Sequence, residues 1–312
     1  MKEFNEIEFS LYEKNPIIKK FGFGSIVADP SVLTPENSHD SKWHLFCHTF
    51  TGVFHFSSDD GINFIKEGKV ISRAMRPDIN YIDGVYYLYY ERVQPMIVRG
   101  PAAIRLCKWF SEIYLIKSMD LKNWSKPKIV IKYDKGYHKC DEGVSISNPF
   151  LIKVDDKYRL YYSCGLSYLD DCKFCEPTYI SYAESDTPDG KFVSIDVPVM
   201  SPNADDALNN KGCGCIKVYK VKDGYIALQN GISMTQDSIS KSEIRLLNSV
   251  DGKNFTFVKT VVSPTGYGWM AQFVYACALS LYKGKFYIHF NGRDTAHPLK
   301  GREHIGLSIQ KD

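Results

Sequence analysis

The chain has 312 residues, 39 basic and 36 acidic side chains, and a formal net charge of +3. Hydrophobics at 44% and charged residues at 24% describe an ordinary globular protein and exclude a disordered one. The near balance of charge argues against a nucleic-acid or membrane-surface partner, and no apolar run approaches the roughly 18 residues of a membrane span. The departure from average is aromatic content, with 21 Tyr, 18 Phe and 4 Trp, an excess that favours strands.

Taken in chain order, the elements repeat. The N-terminal 5–12 alternates as a strand and carries no apolar leader, which points to a cytoplasmic protein. Five hairpins follow, each an apolar strand, a Gly- or Asp-containing turn, then an aromatic opening an alternating strand. Their inner strands are DPSVL, PDINYI, NPFLI, CIKVYKV and YACALSL, and their second strands open on Trp43, Tyr86, Tyr158, Tyr225 and Phe286. After the first four comes a third alternating strand that ends in Ser and Asp with an aromatic beyond: FHFSSDDGINF, IYLIKSMDLKNW, ISYAESDTPDGKF and IRLLNSVDGKNF. Ser and Asp in such places bond to turn backbone. The repeat predicts an all-β fold, a five-bladed β-propeller of four-stranded antiparallel blades. The blades are expected at about 26–72, 73–132, 144–200, 212–263 and 273–311 of one domain. The last blade lacks its outer strand, and strand 5–12 is predicted to close it, hiding open edges.

In a propeller the inner strands start around one axial funnel. Alignment of the repeats places Asp29, Asp78 and Asn148 at one equivalent position, with Cys213 and Tyr275 near it in the last two blades. Polar groups heading apolar strands need a reason, because burial costs them. Asp29 and Asp78 are therefore candidate catalytic carboxylates, and Arg76 would keep such a group ionised. Asp141 and Glu142 lie just upstream of the third inner strand, where Glu142-Gly143 offers an acid on a flexible hinge. A pair of carboxyl groups, one proton donor and one base or nucleophile, is what glycoside hydrolysis requires. Candidate substrate contacts are Arg76, Asp141, Asn148, Trp269, Arg293 and Asp294, the last three from segments that approach the funnel from the final blade. The long loops also carry Arg92, Arg99 and Arg105; arginines on a rim suit an anionic sugar or phosphate.

Nine cysteines cannot all pair within the chain, and without an export signal free thiols are expected. The spacing of Cys172 and Cys175, and of Cys213 and Cys215, leaves a closed structural zinc site as the alternative. No other cofactor is implied.

The Asp-Pro and Asn-Pro segments, the Asp-Gly-x-Tyr-Tyr-Leu hairpin and the strands ending in Ser-x-Asp resemble the five-bladed propeller glycosidases of glycoside hydrolase families 43, 32, 62, 117 and 130 over nearly the whole chain. The resemblance implies that Asp29, in Ala28-Asp29-Pro30, is the first-blade base or nucleophile. It implies a sugar-contacting role for Asp78, which sits where family 43 has Ala-Pro-Asp. Blade three carries Asn148 where that family has a supporting Asp. Blade four has Gly212-Cys213-Gly214-Cys215 and no Glu, so Glu142 is the remaining acid candidate. The expected activity is hydrolysis of a glycan or glycoside, with an anionic or furanose sugar among the candidates. The alternatives are phosphorolysis or sugar binding without turnover. A carbohydrate is the expected partner, and the protein is expected to be a monomer or a weak homo-oligomer.

Overall fold

A computed structural model describes residues 2–22, 24, 26–95, 99–297 and 300–311. Five four-stranded antiparallel sheets stand in a ring, the five-bladed β-propeller that the repeat predicts. A short helix α1 (Lys2–Asn5) precedes strand β1 (Phe9–Leu11). Blade one is β2 (Ala28–Leu33), β3 (Trp43–Thr49), β4 (Gly52–Ser58) and β5 (Ile65–Ser72). Blade two is β6 (Met75–Ile82), β7 (Val85–Val93), β8 (Trp109–Ser118) and β9 (Lys128–Ile131), with helix α2 (Arg99–Ala103) inserted between β7 and β8. A small hairpin, β10 (Lys139–Cys140) and β11 (Gly143–Val144), extends this sheet through a parallel pairing of β11 with β8. Blade three is β12 (Ile146–Val154), β13 (Lys157–Leu169), β14 (Phe174–Ser185) and β15 (Val193–Ser194). Blade four is β16 (Gly212–Val221), β17 (Gly224–Met234), β18 (Ser240–Ser249) and β19 (Thr256–Val262). Blade five is β20 (Phe273–Tyr282), β21 (Lys285–Arg293) and β22 (Glu303–Gln310).

The inner strands β2, β6, β12, β16 and β20 pack in succession, and β20 returns to β2. Strand β1 completes blade five as its outer strand, with Phe9 opposite Gln310 and Leu11 opposite Ser308. The expected closing strand is thus present but shorter than 5–12, because the chain before it turns into α1. That helix earns its place by burying Phe4 edge-on against Phe286, with ring centroids 4.9 Å apart.

The Ser-Asp turns have the predicted role. In three of them one carboxylate oxygen accepts two successive backbone N–H groups: Asp60 from Ile62 and Asn63, Asp120 from Lys122 and Asn123, and Asp251 from Lys253 and Asn254. The adjacent serines Ser58, Ser118 and Ser249 bond the same carboxylates. Backbone donors hold the Asp60 carboxyl down at about 2, against the opposing effect of burial. Second-strand rings then tie blades together. Tyr89 donates to the carbonyl of Pro188, Tyr161 to that of Gly252 at 2.6 Å, and His289 meets that of Gly61 at 2.9 Å. Each tie runs from one blade to the outer turn of the next. Much of the aromatic excess is consumed here and in the clusters between blades. No helix among the described residues is long and apolar enough to cross a membrane.

Candidate active site

Every inner strand carries a register irregularity near its start: between Ala28 and Ser31, Met75 and Asp78, Ser147 and Phe150, Cys213 and Ile216, and Val274 and Cys277. Such a two-residue bulge re-aims a side chain out of the sheet. The equivalent residues are therefore Asp29, Arg76, Asn148, Gly214 and Tyr275. The first three have φ of 54°, 52° and 50°, and each precedes a proline. Asp and Asn tolerate this left-handed conformation, whereas for Arg76 it is an uncommon one that packing must hold. In blade four, a Cβ on Gly214 would lie 2.0 Å from the Asn230 side-chain oxygen, so a larger residue would displace Asn230.

The bulged residues line one axial cavity of about 390 Å³. Strand direction explains what joins them. Where inner strands start, second strands end and third strands start. Second strands bring His48, Asn230, Asn291 and Arg293, and third strands bring Glu176 and Glu303.

Three carboxyl groups share the cavity and differ in state. Asp29 lies 3.1 Å from the Nδ1 of His48, and its backbone N–H donates to Asn291 at 3.2 Å. Burial alone would raise its carboxyl, but the His48 contact, with Arg76 and Lys217 beyond, holds it below the usual range. Glu303 accepts from Arg293 at 2.7 Å and from Asn291 at 3.1 Å, and burial pushes it up against the Arg293 charge. Glu176 has no hydrogen bond or ion pair from its carboxyl to the described residues. Burial, opposed by Arg76 and reinforced by the charges of Glu303 and Asp29, lifts it to about 7. The two cavity cations are each backed by an acid: Arg76 meets Glu91 at 2.5 Å and Arg293 meets Glu303. Glu91 is fully buried and also accepts from the Trp109 indole at 3.3 Å.

The sequence-derived set is partly assembled here. Asp29, Arg76, Asn148 and Arg293 line the cavity. Asp78 does not. Its position matches Ser31, two residues past the bulge, and the residue is 2% exposed and outside the lining. There it accepts from the Leu151 N–H at 2.9 Å and the Asn80 amide at 2.8 Å, and faces Lys217 at 3.9 Å. Alignment on the acids misplaced it; alignment on Pro30, Pro77 and Pro149 recovers the register. Glu142 lies on the turn between β10 and β11, paired with Arg105 at 3.4 Å, outside the lining. Asp141 is exposed on the same turn, its carbonyl accepting from Lys108. Trp269 is packed inside blade five, stacked on Phe290 with centroids 5.8 Å apart, and takes no part in the lining. Asp294 caps its own loop by accepting the Arg302 N–H at 2.8 Å. Of the expected rim arginines, Arg92 covers Tyr114 and Arg105 covers Tyr168, and the Arg99 side chain lies outside the described residues. Of that rim, Arg293 is the one that lines the cavity among the described residues.

Three of the four candidate zinc ligands pack in separate clusters, and Cys215 lines the cavity with Cys175. Cys172 packs with Leu169, Ile232 and Phe273, Cys175 with Met75 and Trp109, and Cys213 with Ile180 and Ile216. Among the described residues no group of three or more His, Cys, Asp or Glu is poised to hold a metal. The thiols of Cys172, Cys175, Cys213 and Cys215 are free, and burial raises them to between about 11 and about 12.

Sequence reading missed His48, Glu176 and Glu303. The available signal was positional: Glu176-Pro177 and Glu303 open third strands, at the same end of their blades as the inner-strand starts.

No protein-family model matches the sequence, and no curated protein matches it by sequence. Solved structures do match the fold along nearly the whole chain. An N-acetylgalactosamine deacetylase from F. plautii superposes with a TM-score of 0.68 at 12% identity, covering 97% of this chain and 95% of that one. The catalytic domain of a family 62 α-L-arabinofuranosidase from Coprinopsis cinerea gives 0.66 at 14% identity, covering 98% of each chain. A family 117 glycoside hydrolase from Zobellia galactanivorans gives 0.64 at 18%, covering 97% and 90%. At these identities the likeness is one of architecture: the chain shares the five-bladed propeller fold of these structures.

Proposed function

We propose that the protein is a glycoside hydrolase working in the axial cavity, with Asp29 as base or nucleophile and Glu176 as proton donor. The observation that carries this reading is the opposed state of two carboxyl groups facing one cavity. Asp29 is held ionised by His48, while Glu176 keeps its proton to about 7. Two carboxyl groups pushed apart by their surroundings form the acid/base pair that glycosidic cleavage uses. Glu176 gives its proton to the leaving oxygen as the anomeric C–O bond breaks. Asp29 either takes a proton from the attacking water or bonds to the anomeric carbon, and that ester is then hydrolysed. Arg76, Asn148 and Arg293 position the sugar and balance the charge of the carboxylates. The likeness to arabinofuranosidase and family 117 propellers supports a carbohydrate substrate.

Water rather than phosphate is the acceptor in this reading. Arg76 and Arg293 are each engaged by a glutamate, so among the described lining residues an incoming phosphate would meet only arginines already paired with an acid. Binding without turnover is disfavoured by the same pair of opposed carboxyls.

The test is a screen of aryl and natural glycosides, N-acetylated sugars included, with and without phosphate, on the wild type and Glu176→Gln. A lost general acid costs about 10²- to 10⁴-fold. Glu176→Gln is expected to lose that much on alkyl or sugar leaving groups and little on dinitrophenyl ones, which leave without a proton. Equal losses on both classes would remove Glu176 from the donor role.

A further inference from the structure

The polar groups of the cavity lie in its buried part, among apolar residues such as Met75, Trp109 and Leu166, while its exposed lining is apolar. Among the described lining residues, the polar ones are buried or half-buried, including Asn291 at 1% exposure and Arg293 at 4%. The three exposed lining residues are Phe50, Pro101 and Leu106, all apolar, and Ile26 and Ile104 lie half-buried beside them. Leu106 is 74% exposed.

This lip is a built element. It consists of α2 and the turn after it, closed by N–H donation from Leu106 to the Pro101 carbonyl at 2.8 Å. It is seated on the blades by Ala102, which is buried with Met75, Val93, Trp109 and Leu166. The segment thus fixes its inner face in the core and leaves Leu106 exposed, and Phe50, in the turn between β3 and β4, lines the same cavity. Single exposed apolar residues are ordinary, but a contiguous group around a cavity mouth marks a binding surface.

We infer that the site takes glycosides whose leaving group is apolar, an alkyl, terpenoid or aryl aglycone, and that the lip is its subsite. This rests on the hydrolase reading above. A sugar ring placed at the mouth would exchange water for aliphatic carbon at its hydroxyls, with no donors or acceptors among the exposed lining residues to replace the lost bonds. An alkyl chain there loses only apolar hydration, which favours binding. The glycone, with its hydroxyls, then faces the buried polar groups around Asp29 and Glu176.

Matched methyl and n-hexyl glycosides of glucose, galactose, mannose and arabinofuranose test this. Each buried methylene is worth about 0.8 kcal/mol, or roughly fourfold. For whichever glycone is accepted, kcat/KM for the hexyl compound should exceed that for the methyl compound by about tenfold or more, as two or more methylenes reach the lip. Leu106→Asp and, separately, Phe50→Ser should each cut that ratio severalfold. Calorimetric affinity of Glu176→Gln for the same pairs gives a readout independent of turnover. A hexyl preference in affinity without wild-type turnover would uphold the lip and overturn the hydrolase reading. Equal affinities for hexyl and methyl glycosides, or a ratio unchanged in both lip variants, would overturn the inference.

Discussion

Asp78→Ala separates support from chemistry. The Asp78 carboxylate lies outside the cavity lining, and it has four partners: the Leu151 N–H, Lys217, Asn80 and Ser31. Removing it orphans the Leu151 N–H, a buried backbone donor whose loss of partner costs about 1–3 kcal/mol. It leaves the Lys217 ammonium, 5% exposed, without its counter-charge, and breaking a buried pair costs about 3–5 kcal/mol. Lys217 keeps one bond, to the Pro149 carbonyl at 3.2 Å, which argues for the lower end of that range. Asn80 is half-buried and can turn towards water, and Ser31 retains the Ile79 N–H as donor. The sum is about 4 kcal/mol or more, and the melting temperature should fall on the order of 10 °C. Differential scanning fluorimetry measures it, and activity is followed below the transition. Enzyme that remains folded should keep most of its activity. A melting temperature within about 2 °C of wild type together with lost turnover would place Asp78 in the chemistry and refute the assignment.

Asp29→Asn should show the converse, a loss of about 10²- to 10⁴-fold in kcat/KM with little change in melting temperature. Its charge is one of the influences that raise Glu176, so the alkaline limb of any residual activity should move to lower pH; an unmoved limb would separate the two groups. Phe4→Ala tests ring closure: deletion of a buried ring costs about 3–5 kcal/mol, and the loss should appear as earlier unfolding in thermal melts. A negligible effect would mean that α1 is not part of the closure.

The fold was legible because its signal is repeated. Five aromatic-headed hairpins and the Ser-Asp turns each state the same local geometry, and the missing outer strand of blade five pointed to the N-terminus. The site was only half legible. Asp29 and Asn148 could be named because Asp-Pro and Asn-Pro head their strands, Arg76 because it neighbours Asp78, and Arg293 from the blade-five loop. Asp78 was misassigned because an acid near a strand start looks the same whether or not it faces the funnel. Two residues of register decide it, and the bulge that sets the register has no local signature stronger than the proline. Glu176 was hidden for a different reason. Its proton affinity comes from burial, Arg76, Glu303 and Asp29, which stand on other strands, and the neighbouring Cys172 and Cys175 drew attention to a metal site that packing disperses. Trp269 shows the common fate of an aromatic near a site, which is to fill a blade.

The central claim is that Glu176 works protonated beside an ionised Asp29, and the pH dependence of kcat/KM on an unactivated glycoside tests it most directly. A general acid with its pKa at about 7 is about nine-tenths protonated one unit below that value and about one-tenth protonated one unit above it. Activity is therefore predicted to fall about tenfold between pH 6 and pH 8. The acidic limb should lie below the ordinary carboxylate range, because Asp29 is held down. In Glu176→Gln, followed on a dinitrophenyl glycoside, the alkaline limb should vanish. A wild-type profile flat from pH 6 to pH 8, or a limb that survives in Glu176→Gln, would contradict the account.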